Sequence, residues 1–233
     1  GDQVVYAPGT VIISAAAEIM DIRKIIEPVI LNDPYTSLLY IDMSRDSFKL
    51  GGSSFAQSNN RLGKEAPTVK DPVYFGEVFN TIQELISRGK IISGHDISAG
   101  GIITTLLEMC FSNTTGGLTI NLTAIGEDDI IKLLFNQNPG ILIQVKDEDE
   151  VADFLLENGI SYFSIGHPIL ERTLILSNAD ETFSFDINHL REKWFRTSYL
   201  LDRRQSGPEH AKERFENYMN HGLDLKLGSF KGS

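Results

Sequence analysis

Short apolar runs and helical periodicities alternate along most of the chain. Residues 11–17, a run of small and β-branched residues, predict a buried strand, and residues 37–43 predict a second one. Further strands are predicted, in chain order, at 90–93, 118–122, 141–146, 162–169, 172–177 and 182–186. The last two strands are expected to form a hairpin around the turn at 178–180.

The clearest predicted helix follows Asp71. Asp71 suits the N-cap position and Pro72 suits the first helical position. Apolar residues then recur at helical spacing, at Val73, Val78, Ile82, Leu85 and Ile86. Further helices are predicted at 99–111, 127–137, 147–159 and 187–204. Because helices alternate with strands, we predict an α/β or α+β fold in which helices pack on a mixed β-sheet.

Two polar stretches interrupt this alternation. Residues 44–69 are polar and contain glycine, and a short helix is predicted near 53–61. A long polar segment inside a compact domain is usually a functional loop or a disordered one. Residues 205–233 show weak periodicity and predict an extended tail or linker.

Composition narrows the possible functions. The 233-residue chain carries a net charge of −11, which argues against general affinity for nucleic-acid phosphates but not against a nucleotide held by a few groups and Mg²⁺. The single cysteine, Cys110, excludes a disulfide framework and favours a cytoplasmic location. We predict no transmembrane helix and no signal peptide. The abrupt start suggests a piece of a longer chain.

The strand-to-helix junction SGHDISAGG, residues 93–101, combines several groups that suit phosphate chemistry. The strand is expected to end near Ser93, which places Asp96 on the following loop. Ser98 suits an N-cap, and the free N–H groups of the helix start favour an anion. A carboxylate there suits Mg²⁺ shared with phosphate oxygens. The competing interpretation is a capped helix whose glycines permit close packing, and local sequence leaves both open.

A second cluster of glycines and hydroxyls lies at LGGSSFAQ, residues 50–57. It could hold phosphate at a helix start, but it lacks the lysine and the spacing of a P-loop. A flexible surface loop is the alternative. The five histidines are dispersed and show no metal-binding spacing, and no nucleophile-elbow motif is present. Cys110 lies within an apolar helix, where a buried, inert thiol is expected.

Several segments, in order, resemble the large formylglycinamide ribonucleotide amidotransferases, also called phosphoribosylformylglycinamidine synthases. Residues 94–122 (GHDISAGGIITTLLEMCFSNTTGGLTINL) resemble the family's His-Asp-x-Ser-x-Gly-Gly segment, and residues 38–57 resemble its Leu-Gly-Gly-Ser loop. Residues 134–145 (LFNQNPGILIQV) resemble its Phe-Asn-Glu-x-x-Gly segment at the start of a strand, with Gln137 where glutamate is more common. Residues 209–230 resemble the connector before its glutaminase domain.

The resemblance implies a domain organisation. Such enzymes are similar to two fused aminoimidazole ribonucleotide synthetase-like units followed by a glutaminase, and this chain resembles the second domain of the second unit. It implies that 1–23 are the last strand of the preceding ATP-binding domain and a hinge, that 24–204 are a synthetase-like C-terminal α/β domain, and that 205–233 lead toward the glutaminase. The preceding and following domains of the same parent chain are the implied partners, with a nucleotide and no nucleic acid or membrane.

The resemblance also implies roles for individual residues. Asp96 matches an aspartate that binds Mg²⁺, and Ser98 matches a serine that contacts ATP. Gly51, Gly52 and Ser53 match the second loop and are implied to contact ATP or ADP. The resemblance assigns only structural or supporting roles to the remaining matched residues, which are His95, Gly100 and Gly101. Ala99 stands where the family commonly has aspartate, so no role is implied at that position.

The implied function is that of an ATP-dependent carbon–nitrogen ligase in purine biosynthesis. The parent would convert formylglycinamide ribonucleotide, glutamine and ATP to formylglycinamidine ribonucleotide, glutamate, ADP and phosphate. No catalytic residue is assigned within this chain, and the isolated chain is expected to be inactive. The alternatives are another ATP-dependent member of the same superfamily, such as a selenophosphate synthetase, and a non-catalytic assembly domain.

Overall fold

A seven-stranded mixed sheet organises the protein. The structure, a computed structural model, describes residues 13–19 and 21–217. The strands are β1 (Ser37–Asp42), β2 (Ile91–Asp96), β3 (Gly117–Asn121), β4 (Gly140–Val145), β5 (Phe163–Ile169), β6 (Thr173–Asn178) and β7 (Glu181–Asp186). Their spatial order is β2-β4-β1-β5-β3-β6-β7. Neighbouring strands are antiparallel except for the parallel pair β3 and β6.

Helices cover both faces of this sheet. They are α1 (Ser54–Ser58), α2 (Pro72–Ser87), α3 (Gly101–Phe111), α4 (Ile130–Phe135), α5 (Glu148–Glu157), α6 (Ile187–Gln205) and α7 (Pro208–Asn217). Single 3₁₀ turns occur at Ile22–Lys24 and Thr123–Ile125. The predicted class, a mixed sheet with packed helices, is therefore confirmed.

Strand β1 lies between two hydrophobic cores. Leu38 and Tyr40 face the core formed with α3 and α4, whereas Leu39 and Ile41 face the core formed with α2 and α5. Successive strand residues point to opposite faces of a sheet, so a central strand covered on both sides must be apolar throughout. This explains why the four buried residues of the strand, 38–41, form a continuous apolar run.

Local capping chemistry sets the start of several helices. The Asp71 carboxylate accepts a hydrogen bond from the backbone N–H of Tyr74 (3.0 Å), as the N-cap prediction requires. Asp147 caps α5 in the same way through the N–H of Glu150 (3.1 Å). The predicted apolar position Val73 is 71% exposed, because Tyr74 occupies the buried position of that first turn.

Two predictions at the ends of the chain are wrong. Residues 13–17 of the expected buried strand 11–17 are exposed and irregular, and residues 11 and 12 lie outside the described residues. The extended tail expected over 205–233 instead contains helix α7, which packs against α6. Arg214 of α7 forms a bidentate ion pair with Asp202 of α6 (2.8 Å to Oδ1 and to Oδ2 from Nη2), a tertiary contact with no local sequence signal. Residues 218–233 are not described.

Within the described residues, no helix combines the length and the apolar character needed to cross a membrane.

Cys110 is fully buried in α3, and burial raises the pKa of its thiol to about 12. The thiol is therefore protonated at neutral pH and poorly nucleophilic.

Candidate functional site

Strand β2 extends further than its sequence predicted and carries Asp96 as its last residue. The strand was expected to end near Ser93, but pairing with β4 continues to Asp96, which lies opposite Ile141. The Asp96 side chain is 76% exposed at this end of the sheet. Asp96 is thus held by a strand rather than by a loop, which fixes its backbone while leaving its carboxylate accessible.

The turn after Asp96 differs from the predicted helix cap. Helix α3 begins at Gly101, and its N-cap is Gly100, which has φ +94° and no capping side chain. The predicted N-cap, Ser98, is instead the first residue of the turn formed by residues 98–101, and its hydroxyl accepts a hydrogen bond from the N–H of Ala99 (2.6 Å). The Ser98 carbonyl accepts from the N–H of Gly101 (3.1 Å). Ser98 is exposed and therefore remains accessible to a ligand.

The double glycine lets α3 begin against the end of α4. A Cβ on Gly101 would lie 2.5 Å from the Leu134 carbonyl oxygen and 2.7 Å from that of Asn136, and Gly101 has φ +73°. A Cβ on Gly100 would overlap the Thr104 side chain. Both positions also have positive φ, a conformation that other residues rarely adopt. The close-packing interpretation of these glycines therefore holds, and it leaves the roles of Asp96 and Ser98 open.

The Gly51–Ser53 loop uses its own polar groups internally. The N–H of Gly51 donates to the Glu65 carbonyl (2.8 Å), and the N–H of Gly52 donates to that of Leu62 (2.7 Å). Ser53 is buried and caps the five-residue helix α1 by accepting from the N–H of Ala56 (3.2 Å). These hydrogen bonds hold the loop in shape and occupy the donors that a phosphate would need. Ligand contact by Gly51, Gly52 and Ser53 remains a prediction.

Gln137 joins the two glycine clusters. With its amide oriented so that the oxygen faces the nearby donors, the side-chain oxygen accepts hydrogen bonds from the N–H of Ser54 (2.8 Å) and the N–H of Gly100 (2.9 Å). The Ser54 hydroxyl lies 3.1 Å from the same oxygen. The segments around residues 50–57 and 93–101 therefore meet at one side chain.

The neighbours of Gln137 reinforce this junction. The ring of Phe135 stacks on that of Phe55 in α1, with centroids 4.6 Å apart. Asn138 is fully buried, and its side-chain amide donates to the Ser44 hydroxyl (3.0 Å) and to the Ser47 carbonyl (3.2 Å). The segment from 135 to 138 thus connects α1, the 98–101 turn and the start of the long loop.

Asp46 anchors that long loop at both of its ends. Its side chain is fully buried and accepts hydrogen bonds from Lys49 Nζ (2.6 Å) and the Thr68 hydroxyl (2.6 Å), while Lys70 Nζ lies 2.7 Å away. The hydrogen bonds from Lys49, Lys70 and Thr68 hold the pKa of the Asp46 carboxyl well below its ordinary value. The two ends of the loop from 44 to 70 are therefore held together by ion pairs and a hydrogen bond to one buried carboxylate.

His95 lies between two carboxylates beside the candidate site. Its Nε2 is 3.4 Å from Glu108 Oε2, and its Nδ1 is 3.4 Å from Asp96 Oδ1. Burial raises the pKa of Glu108; nearby His95 partly opposes this rise, and Asp96 adds to it. The supporting role expected for His95 is consistent with this position.

An apolar cleft opens beside Asp96. It has a volume of 520 Å³ and runs between α2 and the strands β2 and β4. Phe75, Phe79 and Ile141 are among its apolar lining residues, and His95 and Asp96 line one part of it. The exposed carboxylate therefore lies beside a space large enough for a small ligand or a side chain from another domain.

The donor set at this site fits a magnesium ion that is shared with a phosphate. Mg²⁺ takes oxygen ligands, keeps several waters and is commonly bound through one or two carboxylates together with substrate phosphates. Asp96 supplies one such carboxylate. Among the described residues, no group of three or more His, Cys, Asp or Glu side chains is arranged to hold a metal ion. The remaining ligands would have to come from the nucleotide, from water or from another domain.

Sequence reasoning missed two features of this site, Asp46 and the linking oxygen of Gln137. Asp46 looks like an ordinary polar loop residue, and the lysines flanking its loop were the only available signal. Gln137 was noticed only as a departure from a family pattern. The contacts of Asp46 with Thr68 and Lys70 and those of Gln137 with Ser54 and Gly100 have no local sequence signature, because each joins segments that are distant in the chain.

Comparison with known protein families shows which family this chain belongs to. The model of the family described as "AIR synthase related protein, C-terminal domain" matches residues 46–173, more than half of the chain. The chain belongs to this family. The matched region of this AIR synthase-related domain includes Asp96, Ser98, Gln137 and the Gly51–Ser53 loop.

Solved structures share the fold of this AIR synthase-related domain at low identity. "Structure of PurLQS from Thermotoga maritima" matches with a TM-score of 0.56 and 12% identity, over 73% of this chain and 28% of that chain. "T. maritima PurL complexed with FGAR" gives 0.60 and 11%, over 73% and 30%. "T. maritima PurL complexed with ATP" gives 0.56 and 10%, over 73% and 28%. This chain thus spans less than a third of each matched chain, and at these identities the likeness shows the fold alone.

Proposed function

We propose that this domain binds a magnesium–nucleotide as part of a longer ATP-dependent carbon–nitrogen ligase, a phosphoribosylformylglycinamidine synthase with glutamine as amido donor. The observation that carries the proposal is that an exposed carboxylate, Asp96, and an exposed hydroxyl, Ser98, lie two residues apart at the junction between β2 and α3 of an AIR synthase-related domain. Related folds have been described as complexes with ATP and with FGAR, which supports a nucleotide ligand and a role in purine biosynthesis.

Each residue has a defined task in this proposal. Asp96 holds Mg²⁺ through its carboxylate, and the Ser98 hydroxyl donates a hydrogen bond to a phosphate oxygen. The bound Mg²⁺ would neutralise negative charge on the phosphates of ATP or ADP. Pairing with β4 fixes the Asp96 backbone, and the 98–101 turn fixes the backbone that follows Ser98. Gln137 joins the loop of Gly51, Gly52 and Ser53 to the 98–101 turn, and we propose that this loop borders the ATP or ADP without donating the N–H groups of Gly51 and Gly52 to phosphate.

The proposal needs partner domains. We assign residues 1–23 to the end of a preceding ATP-binding domain and a hinge, 24–204 to this domain, and 205–233 to a connector toward a glutaminase domain. A single metal-binding carboxylate is too little for a complete site, so the isolated chain is expected to lack synthase activity. The parent enzyme is proposed to be cytoplasmic.

A non-catalytic assembly domain is the second candidate. The N–H groups of Gly51 and Gly52 already donate to carbonyls of the chain, which favours a structural loop over a phosphate cradle. Under this alternative, the accessible Asp96 and the cleft beside it would contact a neighbouring domain and no nucleotide.

The deciding experiment uses the longest natural chain that contains this domain. Thermal unfolding is measured with and without Mg²⁺ and ATP for the wild type, Asp96→Asn, and a control, Asp153→Asn, which removes an exposed carboxylate of α5. We expect Mg²⁺–ATP to raise the melting temperature of the wild type and the control, and to raise it much less for Asp96→Asn. Equal shifts in all three proteins would remove Asp96 from the site and favour the assembly domain.

A further inference from the structure

One oxygen atom supports the starts of two helices. The first N–H groups of a helix have no partner within it, and Ser54 is the first residue of α1 while Gly100 is the N-cap of α3. The Gln137 side-chain oxygen accepts from both N–H groups, at 2.8 and 2.9 Å. It therefore bridges the Gly51–Ser53 loop and the 98–101 turn, which begins at Ser98.

We propose that Gln137 is a positioning residue, which holds the Gly51–Ser53 loop and the 98–101 turn as one rigid binding face. This inference rests on the proposed nucleotide site, because the turn that Gln137 holds is the turn that carries Ser98. Gln137 itself touches no ligand in this proposal. It acts by limiting the motion of the segments on either side of it.

The weakness of α1 by itself explains why such a link matters. A five-residue helix is far shorter than an isolated helix needs to be for stability, so α1 depends on contacts to the rest of the fold. Phe55 supplies one such contact by stacking on Phe135, and that contact holds one side of α1 against the end of α4. The Gln137 oxygen fixes its start, next to Ser53.

The 98–101 turn, on the other side of Gln137, also needs support from another part of the chain. Gly100 has φ +94° and no side chain to cap α3, so the turn lacks the usual Ser, Thr, Asp or Asn cap. Gln137 supplies an acceptor to that turn from a distant segment.

The first test measures amide hydrogen exchange at Ser54 and Gly100. Gln137→Leu removes the acceptor at similar size, and Gln137→Glu keeps an acceptor oxygen. Gln57→Leu is the control, because Gln57 lies on α1 and donates to the Gly52 carbonyl (2.8 Å) but contacts no part of the turn. We expect Gln137→Leu to speed exchange at both amides by about 5- to 10-fold, as the loss of one hydrogen bond predicts, and the other two variants to leave it near the wild-type rate.

The second test measures Mg²⁺–ATP affinity of the same variants in the longest natural chain. We expect Gln137→Leu to weaken affinity about 5- to 10-fold, in step with the loss of protection, and Gln137→Glu to restore both. A purely structural residue would behave differently: Gln137→Leu would lower the melting temperature without ligand but leave the Mg²⁺–ATP affinity of the folded protein unchanged.

The outcomes separate the two proposals. Unchanged exchange at Ser54 and Gly100 in Gln137→Leu would overturn the link itself, whatever the nucleotide result. Faster exchange at both amides with unchanged ATP affinity would overturn the positioning role. A wild-type chain that binds no Mg²⁺–ATP would refute the proposed function and the nucleotide role of Gln137, while exchange at the two amides would still show whether the segments are joined.

Discussion

Gly101 at the start of α3 lies directly against Leu134 at the end of α4. A Cβ built on Gly101 would be 2.5 Å from the Leu134 carbonyl oxygen, closer than real Cβ atoms approach backbone oxygens. The contact explains why a glycine occupies this position: any side chain would push α4 away from α3. Since residues 135–138 follow Leu134, this contact also sets how near Gln137 comes to the turn.

Gly101→Ala is therefore expected to destabilise the domain by about 2–5 kcal/mol, from a left-handed backbone and a steric clash together. Gly126→Ala is the matched control, because Gly126 has φ +78° but a Cβ added there would meet no atom within 4 Å. The control should lose only about 1–2 kcal/mol, the cost of the backbone conformation alone. Urea unfolding gives both free energies, and equal losses would show that the contact with Leu134 does not matter.

Asp46→Asn is expected to lower stability at neutral pH and to loosen the loop from 44 to 70. The pKa of Asp46 lies below its ordinary value of 3.8, so its ionised form stabilises the folded state above that pH. This contribution is lost as the pH falls from 3.8 through the lower folded-state pKa. The difference in unfolding free energy between wild type and variant should therefore shrink in acid.

The check for Asp46 is urea unfolding at neutral pH and at a series of pH values that extends well below 3.8. Limited proteolysis at neutral pH should cut the variant within the loop sooner than the wild type. Asp153→Asn, at an exposed position of α5, serves as the control and should behave as the wild type in both measurements. A pH-independent loss for Asp46→Asn would contradict the role of its ionised carboxylate.

Glu108→Gln is expected to raise stability at neutral pH. Burial raises the pKa of Glu108 above its ordinary 4.5, so keeping it ionised in the folded chain is unfavourable. As pH rises from 4.5 the unfolded chain loses this proton first, stability falls, and the penalty persists above the folded-state pKa. A neutral glutamine removes the penalty, so the gain should disappear below pH 4.5, which unfolding curves on both sides of that pH would test.

Arg172→Lys is expected to destabilise the end of α3. The Arg172 guanidinium donates from Nη1 to the carbonyls of Cys110 (3.0 Å) and Gly116 (3.0 Å) and from Nη2 to that of Asn113 (2.6 Å). A single ammonium nitrogen does not reproduce this placement of donors on two nitrogens. We expect a loss of about 1–3 kcal/mol. Arg204→Lys, at an exposed position of α6, should change stability by less than about 0.5 kcal/mol. Similar losses in both variants would show that the three carbonyls need no fork-shaped donor.

Sequence patterns predicted most of the sheet and its covering helices. Residues 37–43 predicted β1 because their central part, 38–41, is apolar at every position, as a strand buried on both faces requires. Asp71-Pro72 predicted the start of α2 because capping is a local interaction. Predictions failed where the outcome depended on a tertiary partner. The run at 11–17 looks apolar enough for a strand, yet residues 13–17 have no partner strand within the described part of the chain, and α7 is stabilised by contacts with α6.

The sequence by itself determined where chemically suitable groups occur: a carboxylate, a hydroxyl and two glycines between a strand and a helix. Only the tertiary structure decided how they are used. It placed Asp96 on a paired strand with an exposed carboxylate, moved the start of α3 from Ala99 to Gly101, and joined Gly100 to Ser54 through Gln137. The physical reason is range: propensities and caps act over a few residues, whereas these contacts form only after distant segments pack against each other.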